Sequence, residues 1–180
     1  MYGIFPIDMD AVGRLLGLTF LPADLVHEAV GGDPVSEALV VAYLEHRVVL
    51  LPKTLPGRSF FNAAHEAGHV ALGHFDSYDI PWLRENQHRS RLAGHTLAAL
   101  DREADVFATE LLMPLAVVER LRLRAEDLQF YHCVSRSAAL GRLRDLQDPE
   151  WQELTRPTAS SVLHHCRHYI DLIEILREAG

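Results

Sequence analysis

Between Ser59 and His74 the chain reads SFFNAAHEAGHVALGH, and no other stretch constrains the fold as strongly. Ser59 can cap a helix running from about Phe60 to His74, because its hydroxyl can accept from an orphan backbone N–H. Ala63, Ala64, Ala67, Gly68 and Ala71 are small, so a second element can come close to this helix. Residues four apart share one helix face, which sets the imidazoles of His65 and His69 side by side. Two imidazoles so placed can grip one ion, and Zn2+ takes imidazole nitrogen at about 2.0–2.1 Å in tetrahedral sites. Glu66 is rotated off the ligand face but can reach a water beside the ion, as a general base must. A catalytic site of this kind needs a third protein ligand and one open position.

The third ligand is sought on the next strong helix, predicted over Thr96–Met113 and ended by Pro114, which disfavours helix in the residue before it. There Leu97, Leu100, Ala104, Phe107, Ala108 and Leu111 make one apolar stripe. Glu103 and Glu110, seven apart, are read as its edge, with Asp101, Arg102 and Asp105 pointing away. A carboxylate on a core-facing edge is costly to desolvate unless it is paired or metal-bound. Periodicity thus favours Glu103 or Glu110 over Asp101 or Asp105 and does not separate the two glutamates. Asp105 is read as structural or as a partner that could fix the tautomer of a ligand histidine, and its phase on the helix argues against a direct role.

The rest of the chain frames this pair of helices. A short amphipathic helix is predicted over residues 8–18 and another over 22–30, stopped by Gly31-Gly32-Asp33-Pro34. ALVVAYL (38–44) and RVVLL (47–51) read as a β-hairpin. Residues 52–58 read as a loop, as do 75–94, and loops of that second length are usually functional. Helices are predicted from 115 to 124 with Pro114 at the start, from 136 to 146 with Ser135 as cap, and from 159 to 178. The pattern is α+β, mostly helical with a small sheet, with a division into residues 1–118 and 119–180.

Composition removes several alternatives. The longest apolar run has seven residues, Ala38 to Leu44, against roughly 20 for a bilayer, so no membrane role is expected. MYGIFPIDMD lacks a basic n-region, and Cys133 and Cys166 form no CxxC, so a cytoplasmic protein with two reduced thiols is expected. The net charge is −8, which disfavours sequence-independent nucleic-acid binding. Residues 119–145 are the one locally basic stretch, with Arg120, Arg122, Arg124, Arg136, Arg142 and Arg144; DNA contact there is open but not favoured. Of the eleven histidines, His74 reads as a helix-end residue favouring the dipole. His88 and His95, like Tyr78 and Tyr131, are weak candidates for shaping a cleft. His164, His165 and His168 near Cys166 read as a polar helix face rather than a second metal cluster.

HEAGHVALGH followed by DREADVFATELLMP resembles the ImmA/IrrE family of metallopeptidases, over about residues 38–146. The resemblance implies a zincin-like domain with a helix-turn-helix-like segment at 125–146. It implies His65, His69 and Glu103 as ligands and Glu66 as base. It also implies a zinc endopeptidase whose protein substrate is a helix-turn-helix repressor of the Xre type, cut to derepress stress-response or mobile-element genes. Mn2+ and Fe2+ stay open as the ion. The alternative function is a zincin-shaped regulator or antitoxin/toxin partner that binds a DNA-binding protein without cutting it. Substrate-binding residues and oligomeric state are not readable from the sequence.

Overall fold

The computed structural model describes residues 7–25, 39–43, 46–52 and 56–178. They form two compact units: residues 8–55 with 59–108, and chiefly Thr109–Gly180. The boundary between them falls inside a helix, after Ala108, and Leu115, Val117 and Val118 are buried in the second unit.

The first unit opens with α1 (Met9–Leu16), capped by Asp8, whose carboxylate accepts from the N–H groups of Asp10 and Ala11 at 3.0 and 3.2 Å. It ends on Gly17, whose φ of 67° suits a residue without Cβ. Three strands follow, β1 (Leu18–Pro22), β2 (Leu39–Tyr43) and β3 (His46–Leu51), in the order β1-β3-β2. β2 and β3 pair antiparallel with Tyr43 opposite His46, which is the predicted hairpin. β1 was not anticipated. It runs parallel to β3, Leu18 opposite Arg47 through Pro22 opposite Leu51, and a five-residue strand held by a partner far along the chain leaves little local signature. As an edge strand it tolerates Pro22, which cannot donate to a ladder. The helix expected at 22–30 falls partly outside the described residues; residue 22 ends β1 and residues 23–25 are helical.

The helix carrying the two histidines, α2 (Pro56–Ala71), starts earlier than Ser59. A proline fits the first turn because the N–H it lacks would have no partner there. The segment predicted as a loop at 75–94 holds two short helices, α3 (His74–Ser77) and α4 (Ile80–Asn86), and the start of α5 (Arg91–Leu112). Asp79 caps α4 by accepting from Trp82 N–H at 3.1 Å. Ile80 and Leu83 pack with Ala93, Leu97 and Leu100 of α5. A second cluster joins the sheet to α2 through Leu18, Val49 and Ala67, with Val12, Phe20, Val70 and Phe107 around them. The unit is thus helices on a small three-stranded sheet, an α+β domain.

The second unit is helical: α6 (Leu115–Leu121), α7 (Ala125–Tyr131), α8 (Arg136–Asp145), α9 (Pro149–His165) and α10 (Arg167–Glu178). Ser135 caps α8 as predicted, its hydroxyl accepting from Ala138 N–H at 3.2 Å. The single terminal helix expected at 159–178 is two helices that break at Cys166, and the first starts at Pro149 and carries Pro157 inside it. Among the described residues, three of the six arginines in 119–145 are ion-paired within the unit, Arg120 with Glu174, Arg124 with Asp127 and Arg142 with Glu110, and Arg144 donates to Leu140 C=O at 3.4 Å. Arg142 is buried, so it serves packing and not an outside partner. Among the described residues no helix is long and apolar enough to cross a membrane.

His132 ties α7 to α10. Its Nδ1–H donates to Leu112 C=O at 2.7 Å, and its Nε2 accepts from the Tyr169 hydroxyl at 2.8 Å. Burial pushes its pKa down to about 4, with the Leu112 carbonyl only partly opposing this. The unfolded chain therefore binds a proton near pH 6.5 that the folded chain refuses until about pH 4. The stability is fully present above pH 6.5 and is lost as pH falls from there toward 4, by about 3 kcal/mol in all. Denaturant melts of wild type and His132→Gln between pH 7.5 and 4.5 check this. The variant is expected to lack that part of the acid dependence, and parallel pH profiles would contradict it.

Candidate metal centre

α2 and α5 build the site together, and Gly68 lets them do so. A Cβ at Gly68 would lie 3.1 Å from both Cα and O of Ala104 and 3.1 Å from the Phe107 ring. The absent side chain is the space that α5 occupies. The close approach sets the polar edge of α5 against the two histidines of α2.

His65 and His69 point their Nε2 atoms at one another, 3.1 Å apart. Asp101 Oδ1 lies 3.3 Å from His69 Nε2. One ligand atom from each of His65, His69 and Asp101 falls within 4.8 Å of the others, and among the described residues this is the only such group of three. Ligands at about 2.0–2.1 Å in a tetrahedron stand about 3.3 Å apart, so the spacing suits an ion. Two facing imidazole nitrogens with a carboxylate are borderline donors that suit Zn2+ and its neighbours. Each ring is held from behind. Asp105 Oδ1 lies 2.8 Å from His65 Nδ1, and His74 Nδ1 lies 2.9 Å from His69 Nδ1.

Glu66 is 2% exposed. Arg84 Nη2 donates to its Oε1 at 3.2 Å, while its Oε2 is buried with no hydrogen-bond partner among the described residues. A buried carboxylate oxygen without a donor is costly, and a water carried by an ion at the neighbouring donors would satisfy it. The residues present therefore fit a metal centre.

The charges of the cluster act on one another. Burial disfavours protonated His65, but the Asp105 hydrogen bond and the charges of Glu66, Asp105 and Asp101 outweigh it, so its pKa is raised. Burial likewise disfavours ionised Asp101, and the His69 hydrogen bond with the nearby His69, His65 and Arg84 lowers its pKa nonetheless.

The carboxylate grouped with the two imidazoles is Asp101, where periodicity pointed to Glu103 or Glu110 and the resemblance to Glu103. Helix phase explains the difference. At about 100° per residue, Asp101 stands about 60° from the buried Ala104, and Glu103 about 100° away on the other side. Asp101 is therefore the nearer to the packed stripe, and it shares an edge with Asp105. Glu103 stands on the opposite edge, its Oε2 3.1 Å from His74 Nε2. Glu110, the other glutamate, lies in the second unit, ion-paired with Arg142 and accepting from Leu115 N–H at 3.3 Å. His74 is no simple helix-end residue: it is buried between His69 and Glu103. The chain turns at Gly73, with φ 72°, and that turn, invisible to helical spacing, carries His74 back to His69. Arg84 was missed because it sits in the segment read as a loop. His88 and His95 are exposed, as are His164 and His165.

Searches of curated proteins and of solved structures found no match. Residues 16–144 match the family described as the IrrE N-terminal-like domain, a peptidase family. That span covers both helices of the site, the sheet and the α7–α8 pair. A metallopeptidase-type centre is what the clustered His65, His69, Asp101 and Glu66 are suited to form, and the chain belongs to the IrrE N-terminal-like peptidase family.

Proposed function

We propose that the protein is a zinc-dependent endopeptidase that cuts a helix-turn-helix repressor of the Xre type and so derepresses stress-response or mobile-element genes. The observation that carries the catalytic part is the His65, His69 and Asp101 cluster beside a buried Glu66 with one oxygen unpartnered among the described residues. The substrate class is supported by the resemblance to the ImmA/IrrE family alone.

A divalent ion held by His65, His69 and Asp101 would polarise the scissile carbonyl and acidify a water. Glu66 takes a proton from the attacking water at Oε2 and delivers it to the leaving amine. Arg84 fixes Oε1, so the open oxygen keeps one orientation through both transfers. Asp105 and His74 hold the two imidazoles, which leaves their Nε2 atoms facing inward.

The test is cleavage of a helix-turn-helix repressor of the Xre type from the same source, by protein as purified, after chelation, and after Zn2+ is restored. Cleavage is expected to vanish on chelation and return with the ion. Chelator-resistant cleavage would sink the metal mechanism. Tight binding of the repressor without any cleavage would favour the non-proteolytic alternative.

A further inference from the structure

We propose that His74 and Glu103 are a positioning pair for His69, the counterpart of Asp105 for His65, and that this pair governs how tightly the centre holds its ion. The inference rests on the reading of His65, His69 and Asp101 as ligands.

Counting protons along the chain of contacts leads to it. His69 turns Nε2 toward His65 and Asp101, so its Nδ1 faces the other way, where His74 Nδ1 lies at 2.9 Å. Two ring nitrogens at that distance share one hydrogen, so one donates and the other accepts. The far end decides which. Glu103 is a carboxylate and only accepts, so His74 Nε2 carries the hydrogen and donates to Glu103 Oε2 at 3.1 Å. With that hydrogen on Nε2 and an ion on His69 Nε2, His74 Nδ1 accepts from His69 Nδ1–H, which keeps the lone pair of His69 on Nε2, aimed at the centre. Asp105 imposes the same tautomer on His65 directly.

Burial makes the relay matter. His69 is 0% exposed and His74 is 3% exposed, so no water replaces a lost partner. A variant without an acceptor at position 74 strands a buried N–H or lets His69 flip to the tautomer that blocks Nε2. The Glu103 side chain is 63% exposed, so its charge stays solvated and water can stand in for it; its removal should cost less than that of His74. The rings of His69 and His74 also pack edge-on, 5.0 Å between centroids. A purely packing role is therefore the rival account, and the variants are chosen to separate the two.

The experiment titrates apo protein with Zn2+ against a chromophoric chelator and records the visible spectrum with Co2+. His74→Phe keeps ring bulk and removes both hydrogen bonds. It is expected to weaken Zn2+ binding about 10- to 100-fold and to shift the Co2+ bands, while apo melting stays near wild type. His74→Gln can accept from His69 and donate to Glu103, and is expected to recover affinity to within a factor of a few. Glu103→Ala is expected to lose less than His74→Phe. Wild-type affinity in His74→Phe, or equal losses in the Phe and Gln variants, would overturn the pairing and leave the ligand set standing. If His74→Phe does not fold, unchanged affinity and spectrum in Glu103→Ala overturns it. A wild-type protein that takes up no metal overturns the ligand set, and the inference with it.

Discussion

Asp101→Ala is expected to empty the centre of stoichiometric metal and abolish peptide-bond cleavage, whereas Glu66→Gln is expected to keep the metal and lose cleavage rate by about 10²- to 10⁴-fold. The two losses differ in kind. Among the described residues, Asp101 is the only carboxylate grouped with His65 and His69 as a possible ligand. Without it two neutral imidazoles remain, fewer than the three protein ligands of a catalytic zinc site. Glu66 is not part of that donor group. Its amide analogue keeps the shape and can still accept from Arg84 through its oxygen, but it cannot take a proton. Metal content by elemental analysis and single-turnover cleavage separate the two effects. Glu103→Gln serves as the control, expected to retain its metal. Metal lost in Glu103→Gln and kept in Asp101→Ala would return the ligand role to Glu103.

The second large effect is on stability. Arg142→Ala is expected to destabilise the fold by about 3 kcal/mol, the low end for breaking a buried ion pair. Arg142 is 1% exposed. Its guanidinium pairs with Glu110, donates from Nε to Met113 C=O at 2.7 Å, reaches Asp145 at 3.4 Å and lies 5.0 Å from the centroid of the Trp151 ring. Truncation strips donors from a carbonyl and a carboxylate together and opens a cavity beneath Trp151. Glu110 keeps some solvent access, which places the loss at the low end of the range. Arg142→Lys keeps the charge but has no fork to span these acceptors, so it should fall between wild type and alanine. Urea melts give the numbers; a loss below about 1 kcal/mol for Arg142→Ala would contradict the assignment of Arg142 as an internal anchor.

What was legible in the sequence follows from the range of the forces involved. The helix of His65 and His69, the hairpin, the Ser135 cap and the break at Pro114 rest on neighbours within a few residues, so spacing and residue type reveal them. The small residues of α2 even announced a close partner, and Gly68 against Ala104 is that contact. β1 was hidden because its partner, β3, lies about thirty residues away in sequence, and parallel pairing needs no local turn. The helices α3 and α4 were hidden by the Asp, Ser, Pro and Asn residues in and around them; burial of Ile80 and Leu83 against α5, not propensity, holds α4.

The centre divides in the same way. The sequence alone determined that His65 and His69 share a face, that Glu66 stands beside it, and that the next long helix carries carboxylates on its edges, because helical geometry is intrinsic to the backbone. It did not determine which of them meets the histidines. That choice was made by the rotation of α5 about its own axis as Ala104 packs onto Gly68, which turns Asp101 and Asp105 toward the histidines and Glu103 toward His74. It was made also by the left-handed turn at Gly73, which brings His74 behind His69. A rotation between two packed helices is a property of both surfaces together, so only the tertiary structure could decide it.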